Sequence, residues 1–92
     1  MTPSISKNHT LVLVVDDDLV IQMQLRYAME KEGYKVIVAS NGKIALDICL
    51  NSPPDIVLLD AMMPVMDGFS CCSQLHALDP NISILMITGE HK

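Results

Sequence analysis

The chain has 92 residues, room for one domain and no more. Six Lys and Arg against eleven Asp and Glu leave a net charge of −5, which argues against a nucleic-acid partner, whose phosphates call for a basic face. Half of the residues are hydrophobic and 18% are charged, which excludes intrinsic disorder; with two Tyr, one Phe and no Trp, the core has to be aliphatic and rich in methionine.

Leu11-Val-Leu-Val-Val15 is short, β-branched and apolar at every position, the pattern of a strand buried on both faces. It runs into Asp16-Asp17-Asp18. From there Ile21, Leu25, Ala28 and Met29 recur at helical spacing as far as Gly33, a residue suited to a helix C-cap. Asp18 stands near the helix start, where a carboxylate caps the free amides and favours the dipole. Tyr34-Lys-Val-Ile-Val-Ala39 predicts a second strand, broken by Ser40-Asn41-Gly42. Ile44, Ala45, Ile48 and Cys49 mark a second amphipathic helix, stopped by Pro53-Pro54. Asp55-Ile-Val-Leu-Leu59 predicts a third strand, ending at Asp60. A loop from Ala61 to Asp67, held by Pro64 and closed by Gly68, leads to a weaker helix over Phe69–Leu78 that ends at Asp79-Pro80. Ile82-Ser-Ile-Leu-Met-Ile87 is a fourth strand, finishing at Thr88-Gly89.

The order is βαβαβαβ, with connections too long for hairpins and long enough for crossover helices. Strands apolar on both faces require helices on both faces. The expected fold class is α/β, a doubly wound parallel sheet of flavodoxin-like strand order 2-1-3-4, with its switch point between the first and third strands.

Ligands of open parallel sheets bind beyond the carboxyl ends of the strands at the switch point. Asp16 and Asp17 close the first strand, Asp60 the third and Thr88 the fourth. With neighbouring strands about 4.8 Å apart, the terminal carboxylates converge on one small pocket. Like charges so placed raise one another's pKa unless a cation lies between them, and hard oxygen donors with room for water suit Mg2+. A carboxylate beside Mg2+ can attack phosphorus, because the metal neutralises phosphoryl charge, and a hydroxyl such as that of Thr88 can hydrogen-bond a phosphoryl oxygen. Aspartates at strand ends also serve as plain turn and cap residues, which is the reading for Asp18, Asp55 and Asp79.

Leu13-Val-Val-Asp-Asp-Asp18, Asp55-Ile-Val-Leu-Leu-Asp-Ala-Met-Met-Pro-Val-Met-Asp-Gly68 and Ile84-Leu-Met-Ile-Thr-Gly89 follow one another across residues 11–89. Together they resemble the receiver domain of two-component response regulators. The middle stretch is the most specific, with Asp60 followed by Met63-Pro64 and Asp67-Gly68.

The resemblance implies a receiver over residues 11–92 behind a polar tail over 1–10. It implies that Asp60 is the phospho-acceptor, supplied by the phosphohistidine of a sensor histidine kinase, by a phosphotransfer protein or by a small acyl phosphate. The implied cofactor is Mg2+, held directly by Asp17 and Asp60, through water by Asp16, and by the backbone carbonyl of Met62. Thr88 would be the switch hydroxyl, Gly89 would give the phosphoryl group access, and Pro64 and Gly68 would shape the covering loop. The chemistry implied is self-phosphotransfer and auto-dephosphorylation, not turnover of an external substrate.

The family continues into a fifth strand and helix. These supply a lysine, usually followed by proline, that pairs with the phosphoryl group, and an aromatic residue that reports the switch. None of Lys7, Lys31, Lys35, Lys43 and Lys92 follows such a strand or precedes proline, so none is given that role. Without a fifth strand, Ile82–Ile87 becomes an apolar edge, and such edges pair with other chains. The expectation is self-association through the fourth strand, or a native chain longer than this one, and marginal stability. Met62-Met-Pro-Val-Met-Asp-Gly-Phe-Ser-Cys-Cys72 is similar to receivers joined to output domains that make cyclic-di-GMP.

Two readings from other classes compete. A phosphatase or phosphotransferase of the aspartyl-phosphate type would want a second Asp two residues beyond Asp60, where Met62 stands. A phosphorylation-independent structural or self-association module with a receiver fold would be expected to have lost an acidic residue, yet Asp16, Asp17 and Asp60 are all present. Elsewhere, Met23, Met29 and Met86 read as packing residues and His9, His76 and His91 as surface residues. Cys49, Cys71 and Cys72 are odd in number and lack zinc spacing, which suits a reducing interior. The polar start has no signal pattern, and no run approaches the roughly 18 apolar residues of a membrane span, so a cytoplasmic protein with no membrane partner is expected.

Overall fold

Among the described residues, four strands of five residues alternate with three helices: β1 Leu11–Val15, α1 Leu19–Lys31, β2 Lys35–Ala39, α2 Gly42–Asn51, β3 Ile56–Asp60, α3 Gly68–Leu78 and β4 Ser83–Ile87. The computed structural model describes residues 10–60 and 68–87. The strands form one sheet in the order β2-β1-β3-β4, every neighbouring pair parallel, as the crossover lengths require. Val15 lies opposite Ala39 on one side and Leu59 on the other, and β3 runs one pair further, to Asp60 opposite Ile87.

The helix ends follow the sequence closely. Asp18 caps α1, its Oδ1 accepting the Val20 amide at 2.8 Å and the Ile21 amide at 3.4 Å. At the other end Gly33, at φ 98°, takes the left-handed conformation that a side chain would resist. There the Gly33 amide donates to the Glu30 carbonyl and the Tyr34 amide to the Met29 carbonyl, which turns the chain into β2. Asn41 caps α2 by accepting the Ile44 amide at 2.9 Å, so the Ser40-Asn41-Gly42 break is also a helix start. Asp55 does more than turn the chain. Its Oδ2 accepts the Leu11 amide and its own amide donates to the Leu11 carbonyl, both at 2.8 Å, which clamps the amino ends of β1 and β3.

Side chains alternate across the strands, so one sheet face carries Leu13, Val15, Val57 and Leu59 and the other Val12, Val14 and Leu58. The first face packs with Ala45 and Cys49 of α2 and Cys71 and Leu75 of α3, all buried. The second packs against half-buried Leu25 and Met29 of α1. Three positions depart from the helical reading of α1: Ala28 and Met23 are exposed, and Gln22 is the helix's buried residue. No described helix is long and apolar enough to cross a membrane.

Candidate functional site

β1 and β3 are neighbours in register, so their carboxyl ends open at the same level of the sheet. The β1–β2 ladder runs one step past Val15, where the Asp16 amide donates to the Ala39 carbonyl at 3.1 Å. Asp16 therefore stands at the end of β1 and Asp60 at the end of β3, and each is 5% exposed. Asp17, next along the chain, is exposed. Carboxylate oxygens of Asp16, Asp17 and Asp60 lie within 4.8 Å of one another.

Two further contacts shape this pocket. The Asp18 amide donates to Asp16 Oδ1 at 2.9 Å, which fixes the Asp16 carboxylate before α1 begins. Gln22 Nε2, one turn into α1, donates to the Asp16 main-chain carbonyl at 2.6 Å. Burial pushes the Asp16 carboxyl above the ordinary carboxylate range; the Asp18 amide pulls it back, and the charges of Asp60, Asp17 and Asp18 add to the rise. A pocket that holds carboxylates under such repulsion is relieved by a cation. The donor set is all oxygen, buried on two sides and open to water at Asp17, which fits a hard divalent ion such as Mg2+.

The structure thus brings together Asp16, Asp17 and Asp60. Thr88 and Met62, with Pro64 and Gly89, lie outside the described residues. Gly68 opens α3. Gln22 was missed in the sequence, although a signal existed. Helical spacing sets residue 22 on the inward face with Leu25 and Met29, where a polar side chain needs a buried partner. The opposite side of α1 carries Leu19, Val20, Met23 and Tyr27, all well exposed, in a stripe that starts two residues from Asp17.

A doubly wound parallel sheet with carboxylates gathered at its switch point defines a flavodoxin-like α/β class of protein. Residues 12–92 match the family model described as "Response regulator receiver domain". The chain belongs to that family, and so to two-component signal transduction. It is 43% identical over 78 residues to response regulator MprA of Mycobacterium sp. (strain KMS), which covers 85% of this chain and 34% of that protein. It is 40% identical over 78 residues to sporulation initiation phosphotransferase F of Bacillus subtilis (strain 168), covering 85% of this chain and 63% of the relative. The chain therefore spans about a third of the MprA relative and under two thirds of the sporulation protein. Among solved structures, response regulator protein TrrA from Thermotoga maritima in complex with Mg(2+)-BeF aligns with a TM-score of 0.84 at 30% identity, covering 89% of this chain and 72% of that one.

Proposed function

We propose that this chain is a phosphorylation-dependent switch whose phospho-acceptor is Asp60. The observation that carries the reading is the meeting of Asp16, Asp17 and Asp60 at the carboxyl ends of adjacent parallel strands. The described complex of TrrA with Mg(2+)-BeF and the phosphotransferase name of the sporulation relative support it.

In this reading an Asp60 carboxylate oxygen bonds to the phosphorus of a donor phosphohistidine. The nitrogen–phosphorus bond breaks, and the imidazole nitrogen keeps the electron pair. Asp17 and Asp60, with Asp16 through water and the Met62 carbonyl, are the groups to hold Mg2+, which when bound supplies charge neutralisation at the phosphoryl oxygens. Burial holds Asp60 in place, and the exposed side of the pocket at Asp17 leaves a path for the donor. Thr88 is the hydroxyl proposed to read the phosphorylated state. Hydrolysis of the aspartyl phosphate resets the switch, so the chain acts on itself and on no external substrate.

The donor is a sensor histidine kinase or a phosphotransfer protein. The apolar stripe of Leu19, Val20, Met23 and Tyr27 is the surface proposed to receive it, being both exposed and next to the acidic pocket. No disulfide joins Cys49, Cys71 and Cys72, in keeping with a reducing, cytoplasmic setting. The outer edge of β4 is proposed to pair with a second copy, because it has no strand partner among the described residues and its Leu85 is 60% exposed.

Intact-mass measurement after incubation with acetyl phosphate and Mg2+ tests the phospho-acceptor. One phosphoryl adduct is expected, absent in Asp60→Asn and in the metal-free sample. An adduct that persists in Asp60→Asn would overturn the assignment. Failure of the native chain to take any adduct while binding Mg2+ would favour the phosphorylation-independent module.

A further inference from the structure

We propose that Gln22 is a positioning residue for the divalent-cation site, acting on the peptide that joins Asp16 to Asp17. The inference rests on the Mg2+ reading above and adds a residue that carries no metal-binding atom. Its burial and its hydrogen bond carry the inference. Gln22 is 6% exposed and is the buried residue of α1, on a helix whose inward neighbours Ile21, Leu25 and Met29 are only half-buried. An amide side chain so placed costs free energy unless it is hydrogen-bonded, so its burial needs a reason beyond filling space. Its Nε2 donates at 2.6 Å to the one carbonyl that lies between the two consecutive carboxylates, Asp16 and Asp17.

The geometry explains why that carbonyl matters. The Asp16 amide is already fixed by the Ala39 carbonyl on β2, the last bond of that ladder. The β1–β3 pairing ends one residue earlier, at Val15 opposite Leu59, so among the described residues no further strand pair fixes the Asp16 carbonyl. A peptide is planar, so holding the Asp16 carbonyl also sets the direction of the Asp17 amide and α-carbon. Gln22 therefore ties the plane between the two ligands to the first turn of α1. The Asp18 cap ties the same turn from the other side, since the Gln22 amide donates to the Asp18 carbonyl at 3.0 Å. Groups that orient metal ligands without touching the metal typically govern affinity about 10- to 100-fold.

The test uses Gln22→Met, which keeps the length and apolar bulk of the side chain and removes the donor. Mg2+ affinity is measured by calorimetric titration well below the melting temperature, beside the native chain and Asp17→Asn. Phosphorylation by acetyl phosphate is followed as a function of Mg2+ concentration in the same samples. The expected result is a Kd for Mg2+ weakened about tenfold. A matching rise in the Mg2+ needed for half-maximal phosphorylation is expected, with the rate at saturating Mg2+ little changed. A side chain that merely fills space predicts a lower melting temperature with an unmoved Mg2+ affinity, and that outcome overturns the proposal. Should Gln22→Met not fold, Gln22→Asn gives the same contrast, because its amide is one methylene too short to reach the carbonyl. Absence of Mg2+ binding by the native chain would instead overturn the metal reading, which keeps the two failures apart.

Discussion

Leu58 and Leu59 are neighbours on β3 that point to opposite faces of one sheet, and they sit in cores of different depth. Leu59 is fully buried with Leu13, Val15 and Val57 beneath α2 and α3. Leu58 is buried with Val12 and Val14, in a cluster otherwise made of partly buried side chains of α1 and β2 with Tyr34, Ile56 and Ile87. The difference continues into β4. The register partner of Leu59 is Met86, which packs into the larger core, whereas the partner of Leu58 is Leu85, largely in solvent. The cause is a matter of widths. A helix is about 10 Å across and strands are about 4.8 Å apart, so one helix covers roughly two strands. Among the described residues, α2 and α3 pack on one face, and α1 packs on the other where β1 and β2 lie.

The contrast places the acidic pocket between a rigid side and a lighter one. The carboxylates hang from strands whose larger core is closed, while Asp17 leads directly into α1, whose hold on the sheet combines a thin apolar contact with the bonds from the Asp18 amide and the Gln22 side chain to Asp16.

The largest expected effect tests the two cores directly. Leu59→Ala empties part of the closed core and is expected to cost about 3–5 kcal/mol in urea unfolding. Leu58→Ala opens toward a face where neighbours and water can move in, and about 2 kcal/mol is expected. Equal losses would break the contrast. A larger loss at Leu58 would reverse it.

A smaller effect of opposite sign is expected in the pocket. Asp16 is buried beside Asp17 and Asp60, and its carboxyl is disfavoured as an anion there. Asp16→Asn removes that repulsion, so the metal-free chain should melt higher, by roughly 4–8 °C for each kcal/mol relieved. Saturating Mg2+ should raise the native melting point by the equivalent of about 2.7 kcal/mol at a hundred times its Kd, and the variant should lose much of that gain. A variant that melts lower without metal would show that the charge-assisted part of the Asp18 amide bond to Asp16 outweighs the crowding of charge.

The strands, their order and the three acidic residues were legible because each follows from a local pattern. Apolar runs such as Leu11–Val15 report burial on both faces, Gly33 and Asp18 report helix ends, and Asp60 is conspicuous after an apolar strand. What escaped the sequence depends on which way a helix turns. Met23 resembles a packing residue until α1 is docked with its Gln22 side inward, and it then faces solvent in an apolar stripe with Leu19, Val20 and Tyr27. Asp55 read as a turn residue because its partner, the Leu11 amide, lies 44 residues away in the chain. Long-range partners and helix rotation are set by tertiary packing, which no local period encodes.

The smallest effect on stability falls on the open face. Leu85 gains little from burial, so Leu85→Ser should change unfolding free energy by no more than about 0.5 kcal/mol. Its consequence is expected in association. Leu85 lies on β4, whose outer edge is the proposed surface for a second copy, and a polar side chain there should shift sedimentation toward the monomer while leaving Mg2+ affinity unchanged. The equivalent change on the closed face, Met86→Ser, should do the reverse, lowering stability more than association, because Met86 packs into the larger core. If Leu85→Ser leaves sedimentation untouched in a chain that associates, the pairing runs through another surface. A strictly monomeric native chain would show that the exposed Leu85 is tolerated in water, as isolated exposed leucines are.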